Sequence, residues 1–263
     1  MGGVPDAAPG HPEIERLVAP NPGPMTLEGT NTFVVEVDRE AFVIDPGPDG
    51  AGHIARVRKV AEGRGGLAGV LLTHDHGDHA DGAPALGAAV LWPPGNLKGS
   101  DPFRNEVVTK GSDARVAGPF GVVRTPGHSP DHVVFTLGEV CFCGDLVLGE
   151  GSTFVPPDGG SLAAYLDSLE RLRALDPALL CPGHGPWITD PPAKIEEYIE
   201  HRLDRERKLL AALSAGERSR AALLDAAWDD VPAELRWAAA VVMEAHLQKL
   251  AAEERLPDGD LTD

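Results

Sequence analysis

The chain has 263 residues, enough for one large α/β domain or for a domain of about 200 residues with a small appendage. Its composition is that of a globular protein, with 42% hydrophobic and 24% charged residues, and no apolar run approaches the roughly 20 residues that span a bilayer. The formal net charge of -18 disfavours non-specific binding to nucleic acids, because the field of the protein repels polyanions.

The cysteines and the N-terminal stretch indicate the expected compartment. The three cysteines are an odd number and too few for a disulfide framework, which favours a reducing environment. Residues 1–12 are rich in proline, glycine and alanine and lack the basic and then apolar order of a signal peptide. We therefore expect a cytoplasmic protein that does not bind membranes.

The first part of the chain predicts α/β alternation after an opening β-meander. Segments that alternate or are rich in β-branched residues predict strands, and the polar turn at residues 38–40 predicts a hairpin. The predicted strands are residues 14–19, 33–37, 41–44 and 69–72, with a helix at 52–61 before the last of them.

Histidine and aspartate are concentrated directly after this last strand, in the segment His74-Asp75-His76-Gly77-Asp78-His79. Open α/β sheets bind ligands beyond the carboxyl ends of their strands, so the loop is a candidate site. His74 and His76, two residues apart, are expected to point the same way. Asp78 and His79 follow a glycine and are expected to turn back toward them as a helix begins at Ala80. Imidazole nitrogens and carboxylate oxygens are ligands of Zn²⁺, and a site that keeps one position for water is catalytic.

The following residues predict further strands that end in loops. A short helix is predicted at 80–86, and the poorly patterned residues 98–113 are predicted to form a loop that borders the site. Ser161 is the predicted N-cap of a helix at 162–175. The predicted strands are 89–92, 120–124, 133–137, 140–142 and 179–181, of which the third and fourth form a hairpin.

The composition changes near residue 190, where two prolines begin a long charged helix. We predict that residues 1–190 form the catalytic domain and that residues 191–263 form a small helical domain. The helices predicted for the second domain are residues 191–213, 220–228 and 232–254, followed by a turn at 256–261.

Three further polar residues, His128, Asp145 and His184, each follow a glycine at the end of a predicted strand. A glycine allows the backbone to bend sharply, which turns the next side chain toward the site. Seven candidate ligands result, enough for two metal ions: His74, His76 and His128 for one, Asp78, His79 and His184 for the other, and Asp145 as the bridge. A hydroxide between two divalent ions is nucleophilic at neutral pH, because the ions lower the pKa of bound water.

These seven residues resemble the ligand pattern of the metallo-β-lactamase superfamily. The chain is also similar, over nearly its whole length, to the β-lactamase-like protein 2 family. The segments that carry this similarity are NPGPMT (21–26), GTNT (29–32), LGEGST (148–153), CPGHGP (181–186) and YIEHR (198–202). The resemblance implies an αββα sandwich with the metals at one edge and a C-terminal domain similar to a winged helix.

The resemblance implies more than one activity. The human member of the β-lactamase-like protein 2 family is a mitochondrial endoribonuclease for single-stranded RNA, and fungal relatives include thioesterases of polyketide biosynthesis. Asp145 matches the aspartate that hydrolases of thioesters and phosphodiesters keep at the bridging position, where lactamases of the superfamily generally place another residue. β-Lactam hydrolysis is therefore not the predicted reaction.

We predict a hydrolase with two Zn²⁺ ions, or with Mn²⁺ or Fe²⁺, that acts on a small-molecule thioester or ester by attack of a metal-bridging hydroxide. Asp78 and Asp145 are the predicted catalytic residues, because Asp78 has a free oxygen beside the nucleophile and Asp145 joins the two ions. One alternative is an endoribonuclease for single-stranded RNA. The other is a non-catalytic binding protein, which the complete set of seven ligands disfavours. The oligomeric state stays open.

Some roles also stay open in the sequence. Asp45 either orients a ligating histidine or belongs to an ordinary turn, and Asp131 and His132 follow His128 closely. His201 and Arg202 either reach the substrate or form salt links on their own helix. If the substrate is RNA, we expect three basic residues to form a phosphate-binding helix face: Arg202, Arg205 and Lys208.

Overall fold

Two β-sheets pack face to face in this computed structural model, which describes residues 6–92, 115–257 and 259–262. The first sheet has the strand order β1-β2-β3-β4-β5-β6, with β1 Asp6–Ala8, β2 His11–Val18, β3 Asn31–Val37, β4 Glu40–Ile44, β5 Leu67–Leu71 and β6 Val90–Trp92. The second has the order β11-β10-β9-β8-β7, with β7 Arg115–Ala117, β8 Phe120–Arg124, β9 Val133–Leu137, β10 Val140–Gly144 and β11 Leu179–Pro182. Neighbouring strands are antiparallel except in the pairs β4–β5, β5–β6 and β10–β11.

The inner faces of the two sheets form an aromatic core, because alternate residues of each strand point to the same face. The ring centroids of Phe33 and Phe142 lie 5.4 Å apart, and those of Phe42 and Phe120 lie 5.6 Å apart, both pairs edge to face. All four side chains are buried. This core holds the loops at the ends of both sheets in fixed relative positions.

The outer faces of the sheets are covered by helices. Val34 and Val43 of the first sheet cluster with helix α1, Ala51–Gly63. Cys141 and Cys143 of the second sheet cluster with helix α4, Leu162–Ala174, whose predicted N-cap Ser161 accepts a hydrogen bond from the Ala164 amide at 3.3 Å. The order helix, sheet, sheet, helix confirms the predicted αββα sandwich.

The predicted helix at 80–86 is in fact two short helices, α2 at Gly77–Ala80 and α3 at Ala83–Leu86. The expectation that a helix begins at Ala80 is therefore wrong. Between the two helices lies Gly82, where a Cβ atom would come within 2.9 Å of the Gly47 carbonyl oxygen. The Gly82 amide donates to this carbonyl at 2.9 Å, so a tertiary hydrogen bond holds the chain at the break. The loop predicted at 98–113 lies outside the described residues.

Helix α5, Pro191–Ser214, connects the sandwich to the last helices. Its first half packs on the second sheet through Ile195 and Tyr198. Its second half packs through Leu209 and Leu213 into a separate cluster with α6, Arg220–Ala227, and α7, Arg236–Ala252. One continuous helix therefore belongs to both clusters. The division into residues 1–190 and 191–263 stays a prediction, and so does the winged-helix form of the second part.

The cysteines at positions 141, 143 and 181 are all free and buried, as expected of small side chains that pack in a core. Within the described ranges, no helix combines the length and the apolar character that crossing a membrane requires. The cytoplasmic location stays a prediction.

The ring of His246 in α7 makes stability sensitive to acid. Both of its ring nitrogens are buried without a hydrogen-bond partner among the residues described. Burial, together with the nearby charges of Arg202 and Lys249, lowers its pKa from 6.5 to about 2. Below pH 6.5 the unfolded chain therefore binds a proton that the folded chain does not, and the free energy of unfolding falls as the pH falls.

We expect His246→Leu to remove this acid sensitivity, because leucine fills a similar volume and does not titrate. The wild-type protein should lose about 2 kcal/mol more of its free energy of unfolding than the variant between pH 7 and pH 5. Urea unfolding of both zinc-loaded proteins at the two pH values measures the difference. Equal losses in the two proteins would show that His246 does not carry the effect.

Candidate metal centre

The segment after β5 places the first four candidate ligands. His74 and His76 lie in the extended stretch before α2, whereas Asp78 and His79 lie in its first turn. The side chains of His74 and His79 are buried, Asp78 is partly exposed and His76 is exposed. The four ligands therefore extend from the interior of the sandwich to its surface.

Three loops at the same edge of the second sheet supply the other ligands, after β8, β10 and β11. Gly127 and Gly144, which precede His128 and Asp145, have φ angles of 140° and 47°, so these bends require glycine as predicted. Gly183 differs, because its φ is not left-handed. Glycine is needed there because a larger residue has no space for its side chain. A Cβ atom at Gly183 would lie 2.3 Å from Oδ1 of Asp145. This glycine makes room for a ligand, which corrects the predicted reason.

One group of ligands comprises His74, His76 and His128. Nδ1 of His76 lies 3.0 Å from Nε2 of His74 and 3.0 Å from Nε2 of His128. Oδ2 of Asp145 approaches this group at 3.7 Å from Nε2 of His128.

A second group comprises Asp78, His79 and His184, and a third, of His74, His79 and Asp145, shares members with both. Nε2 of His184 lies 3.3 Å from Nε2 of His79 and 3.3 Å from Oδ2 of Asp78. Oδ1 of Asp145 lies 3.4 Å from Nε2 of His79 and 3.5 Å from Nε2 of His184. The carboxylate of Asp145 thus turns one oxygen to the first group and one to the second.

The spacing and the chemistry of these donor atoms fit divalent metal ions. A tetrahedral Zn²⁺ with bonds of about 2.0–2.1 Å keeps its ligand atoms about 3.3 Å apart. The closest pairs of donor atoms in the site are 3.0 to 3.7 Å apart, and the ligand atoms of each group all lie within 4.8 Å of one another. Oδ1 of Asp145 is buried without a hydrogen-bond partner in the described part of the chain, whereas buried polar atoms normally have one. A metal ion would satisfy this oxygen. The number and identity of the ions stay predictions.

Asp45 holds the outer nitrogen of a candidate ligand. Its Oδ2 lies 2.9 Å from Nδ1 of His79 and accepts a hydrogen bond from the Thr73 hydroxyl at 2.7 Å. Oδ1 of Asp45 accepts a hydrogen bond from the Thr73 amide at 2.8 Å. The Thr73 hydroxyl also lies 3.0 Å from Nδ1 of His74. Asp45 therefore has the contact of an orienting residue, and Thr73 extends that contact to a second ligand.

We expect Asp45→Asn to weaken zinc binding by about 10- to 100-fold, because the amide group cannot replace both carboxylate oxygens as acceptors. Asparagine also tolerates the left-handed backbone at this position, where φ is 49°, so the variant should fold. Competition with a fluorescent chelator measures the affinity. Asp131→Asn is the matched control, since the Asp131 carboxylate accepts its hydrogen bond from Ser129 at 2.8 Å and zinc affinity should not change. Unchanged affinity in Asp45→Asn would exclude the orienting role.

His132 lies behind Asp145. The Asp145 amide donates to Nε2 of His132 at 3.2 Å, and Nδ1 of His132 lies 2.9 Å from the Thr125 hydroxyl. Burial, reinforced by the charge of His128, lowers the pKa of His132 well below 6.5. The neutral ring therefore accepts a hydrogen bond and fixes the backbone of Asp145.

Backbone carbonyls hold two more candidate ligands. Nδ1 of His128 donates to the carbonyl of Phe154 at 2.7 Å, and Nδ1 of His184 donates to that of Gly29 at 3.2 Å. The Thr30 hydroxyl donates to Oδ2 of Asp78 at 3.3 Å. The sequence alone assigns no role to these partners. Gly29 and Thr30 belong to the GTNT segment, which carries part of the family resemblance. Carbonyl contacts leave no residue-type signal, since every residue has a carbonyl group.

Protons compete with metal ions in the second group. Burial disfavours the charged form of His184, but the charge of Asp145 and the close contacts with Asp145 and Asp78 outweigh it and raise the pKa to about 9. Burial likewise opposes ionisation of Asp78, yet the hydrogen bond from His184 and the charge of His79 lower its pKa to about 2. Metal binding at neutral pH therefore displaces a proton from His184.

A cavity of about 390 Å³ opens beside the candidate ligands. Part of its surface is formed by His76, Asp78 and Asp145. Much of the rest is apolar and comes from the loop before β3, the loop after β10 and the C-terminal helices with their connection, including Met25, Leu27, Leu148, Trp228, Val231 and Val242. The C-terminal helices therefore form a wall of the cavity that contains the candidate ligands.

The basic residues of α5 do not form the exposed face that an RNA-binding role requires. Arg202 and Arg205 are only 2% and 4% exposed and line the cavity. Lys208 is partly exposed, and its Nζ lies 3.1 Å from Oδ2 of Asp204. The expectation of a basic face for RNA phosphates on α5 is therefore wrong. The side of the helix that carries both arginines packs toward the sandwich and α6.

Comparison with known proteins places these features in a family. The family model of the metallo-beta-lactamase superfamily matches residues 25–93 and 90–184. An atrochrysone carboxyl ACP thioesterase of Aspergillus chevalieri is 38% identical over 229 residues, which cover 83% of this chain and 71% of that protein. A beta-lactamase-like protein 2 homolog of Caenorhabditis elegans is 31% identical over 253 residues, 91% of this chain and 84% of the homolog. The structure of a metallo-beta-lactamase family protein from Thermus thermophilus superposes with a TM-score of 0.69 at 23% identity, covering 94% and 96% of the two chains, a likeness that shows the fold.

Proposed function

This chain belongs to the metallo-beta-lactamase superfamily as a metal-dependent hydrolase, and we propose that it cleaves an acyl thioester, or an ester, at a centre of two zinc ions. The observation that carries the proposal is the mainly apolar cavity that shares His76, Asp78 and Asp145 with the centre. Such a cavity suits an acyl group whose carbonyl lies at the metal ligands. The thioesterase name of the Aspergillus chevalieri relative supports the same substrate class.

The residues of the chain have distinct parts in this reaction. Two divalent ions would supply water of lowered pKa and polarise the attacked carbonyl. His74, His76 and His128 would hold one ion, and Asp78, His79 and His184 the other, with Asp145 between them. Asp78 is ionised at neutral pH, and its carboxylate faces His184 and the Thr30 hydroxyl. Both of these contacts are made by Oδ2, so Oδ1 would be left to accept a hydrogen bond from the attacking water and orient it.

Hydrolysis adds water across the bond between the acyl carbon and the sulfur. The oxygen joins the carbonyl carbon, the carbon–sulfur bond breaks, and the proton that the water loses is available to the leaving thiolate. The products are a carboxylate, a thiol and one proton, which the new carboxylic acid releases to solvent. Leu148, Trp228 and Val231 would bind the acyl group through apolar contacts, while the thiol portion stays toward the opening of the cavity.

The proposed substrate class is tested with metal-loaded protein and a panel of substrates. The panel contains acyl thioesters, a p-nitrophenyl ester, bis-p-nitrophenyl phosphate, a fluorescent single-stranded RNA and a chromogenic cephalosporin. We expect the highest kcat/KM for a thioester. RNA cleavage with no thioester hydrolysis would replace the proposal with the endoribonuclease alternative, although the net charge of -18 and the burial of Arg202 and Arg205 weigh against it.

A further inference from the structure

Arg202 of helix α5 is a buried cation without an acidic partner among the residues described. Its side chain donates to the carbonyl of Thr153, and its guanidinium carbon lies 5.3 Å from the ring centroid of Tyr165. Its Nε is buried and has no hydrogen-bond partner, and no carboxylate in the described part of the chain forms an ion pair with it. A buried charge that lacks a counter-charge is costly, so an anion supplied by a ligand would stabilise it.

The neighbouring Arg205 lacks this property, although it lines the same cavity. Its Nη1 lies 2.8 Å from Oδ1 of Asp230 and donates to the carbonyl of Ala227 at 2.6 Å. Asp230 therefore neutralises Arg205 within the protein. Of the two buried arginines on this side of α5, Arg202 is the one that has charge to offer a ligand.

A neutral histidine, His201, lies next to Arg202 in the sequence and lines the same cavity. Burial, followed by the charges of Arg202 and Arg205, lowers the pKa of His201 from 6.5 to about 4. The neutral His201 ring accepts a hydrogen bond on Nε2 from Nε of Arg205, so its proton is on Nδ1, where it can donate. His201 lines the cavity beside Arg202 and adds a second donor.

The position of Arg202 relates it directly to the metal ligands. The carbonyl of Thr153 accepts from Arg202, and the carbonyl of the next residue, Phe154, accepts from His128. The Cα atoms of consecutive residues lie about 3.8 Å apart. Asp145, His201 and Arg202 also line one cavity. The metal ligands and Arg202 therefore border one cavity, and a single ligand in it can extend from one to the other.

We propose that Arg202, with His201, forms a subsite for a carboxylate at the far end of the acyl group, so that the substrate is a monothioester of a dicarboxylic acid. This inference rests on the proposed function, since it assumes that the thioester carbonyl lies at the metal ligands. The apolar wall would contact the methylene groups between the two ends. The guanidinium would bind the carboxylate through charge-assisted hydrogen bonds.

The test compares two thioesters that differ only in this charge. Glutaryl N-acetylcysteamine thioester carries the carboxylate, its methyl ester lacks it, and the thiol portion contains no phosphate. The wild-type protein should prefer the glutaryl thioester by about 30-fold or more in kcat/KM. In Arg202→Met this preference should fall to near one, because the loss in kcat/KM should be about 30-fold larger for the glutaryl thioester than for its methyl ester. Arg207→Met, an exposed arginine of the same helix, should keep the wild-type preference.

The outcomes separate the subsite from a structural role. If Arg202→Met lowers kcat/KM for both thioesters equally, Arg202 only ties α5 to the loop at Thr153 and the proposal is overturned. Equal kcat/KM for both thioesters in the wild-type protein would also overturn it. Arg202→Lys, which keeps the charge but not the planar group, should recover part of the preference if the variant folds as the wild type does.

A binding measurement makes the test independent of turnover. In calorimetry with the zinc-loaded protein, glutarate should bind more tightly than its monomethyl ester, and Arg202→Met should remove the difference. Hydrolysis of neither thioester, with this binding difference intact, would reject the proposed function and keep the subsite. Equal binding of glutarate and its monomethyl ester by the wild-type protein would reject the subsite itself.

Discussion

Replacement of Asp145 by alanine is expected to remove most of the bound metal and to lower turnover by about a thousand-fold or more. Asp145 is the one candidate ligand whose two oxygens face different groups, with Oδ1 3.4 Å from Nε2 of His79 and Oδ2 3.7 Å from Nε2 of His128. Without this carboxylate, two like-charged ions would lie close together with less negative charge to screen their repulsion. Metal analysis after gel filtration and single-turnover kinetics measure the two effects.

The fold should survive this change. The contact that fixes the Asp145 backbone is made by its own amide, which donates to His132 and is kept in Asp145→Ala. Asp167→Ala, at an exposed position of α4, is the matched control and should keep wild-type metal content and activity. Full metal content and turnover in Asp145→Ala, with the control unchanged, would show that the ligand assignment is wrong.

The second large effect is expected from Gly183→Ala, which adds one methyl group. A Cβ atom there would lie 2.3 Å from Oδ1 of Asp145 and 2.7 Å from Cε1 of His79, closer than non-bonded atoms can approach. The two ligands must therefore move. Because a misplacement of about 1 Å in an active site costs roughly 100-fold in rate, we expect kcat to fall by about that factor. Zinc affinity should fall as well.

Gly52→Ala is the control for this variant. Gly52 lies inside α1, has an ordinary φ, and a Cβ atom there would have no neighbour within 4 Å. The same chemical change should therefore leave kcat untouched and stabilise the protein by up to about 1 kcal/mol. If Gly183→Ala were as active as Gly52→Ala, the contact between Gly183 and the ligands would not limit the site.

The seven candidate ligands were predictable because their signals are local. His74, His76, Asp78 and His79 follow one apolar strand within six residues. The other three each follow a glycine at the end of a strand. Strand alternation fixes which faces of the two sheets meet, so the convergence of these loops follows from the sandwich once the strands are known. Which ligand binds which ion stays a prediction.

The burial of Arg202 and Arg205 was not predicted, although the sequence contained a signal for it. Arg202, Arg205, Leu209 and Leu213 follow helical spacing, so the arginines share the face of α5 that packs inward. The prediction of an exposed face considers only the charge of the two arginines. The apolar wall of the cavity could not be predicted in the same way, because it combines residues that are far apart in the chain, such as Met25 and Trp228.

The break between α2 and α3 depends on a tertiary contact as well. The local pattern predicts that one helix continues through Gly82. In the structure the Gly47 carbonyl approaches this position so closely that there is no room for a side chain. Likewise, the role of Gly183 depends on the position of Asp145, from which α4 and β11 separate it along the chain. Contacts of this kind carry no periodicity, so they are seen only in the folded protein.

The rate of thioester hydrolysis during a zinc titration of chelator-treated protein tests the central claim most directly. The predicted assignment of the seven ligands to two ions means that the rate should be near zero without metal, rise with added Zn²⁺ and reach its plateau at two equivalents per chain. Inductively coupled plasma analysis of the same samples gives the stoichiometry. Full thioester hydrolysis by the metal-free protein, or none at any zinc content, would contradict the account.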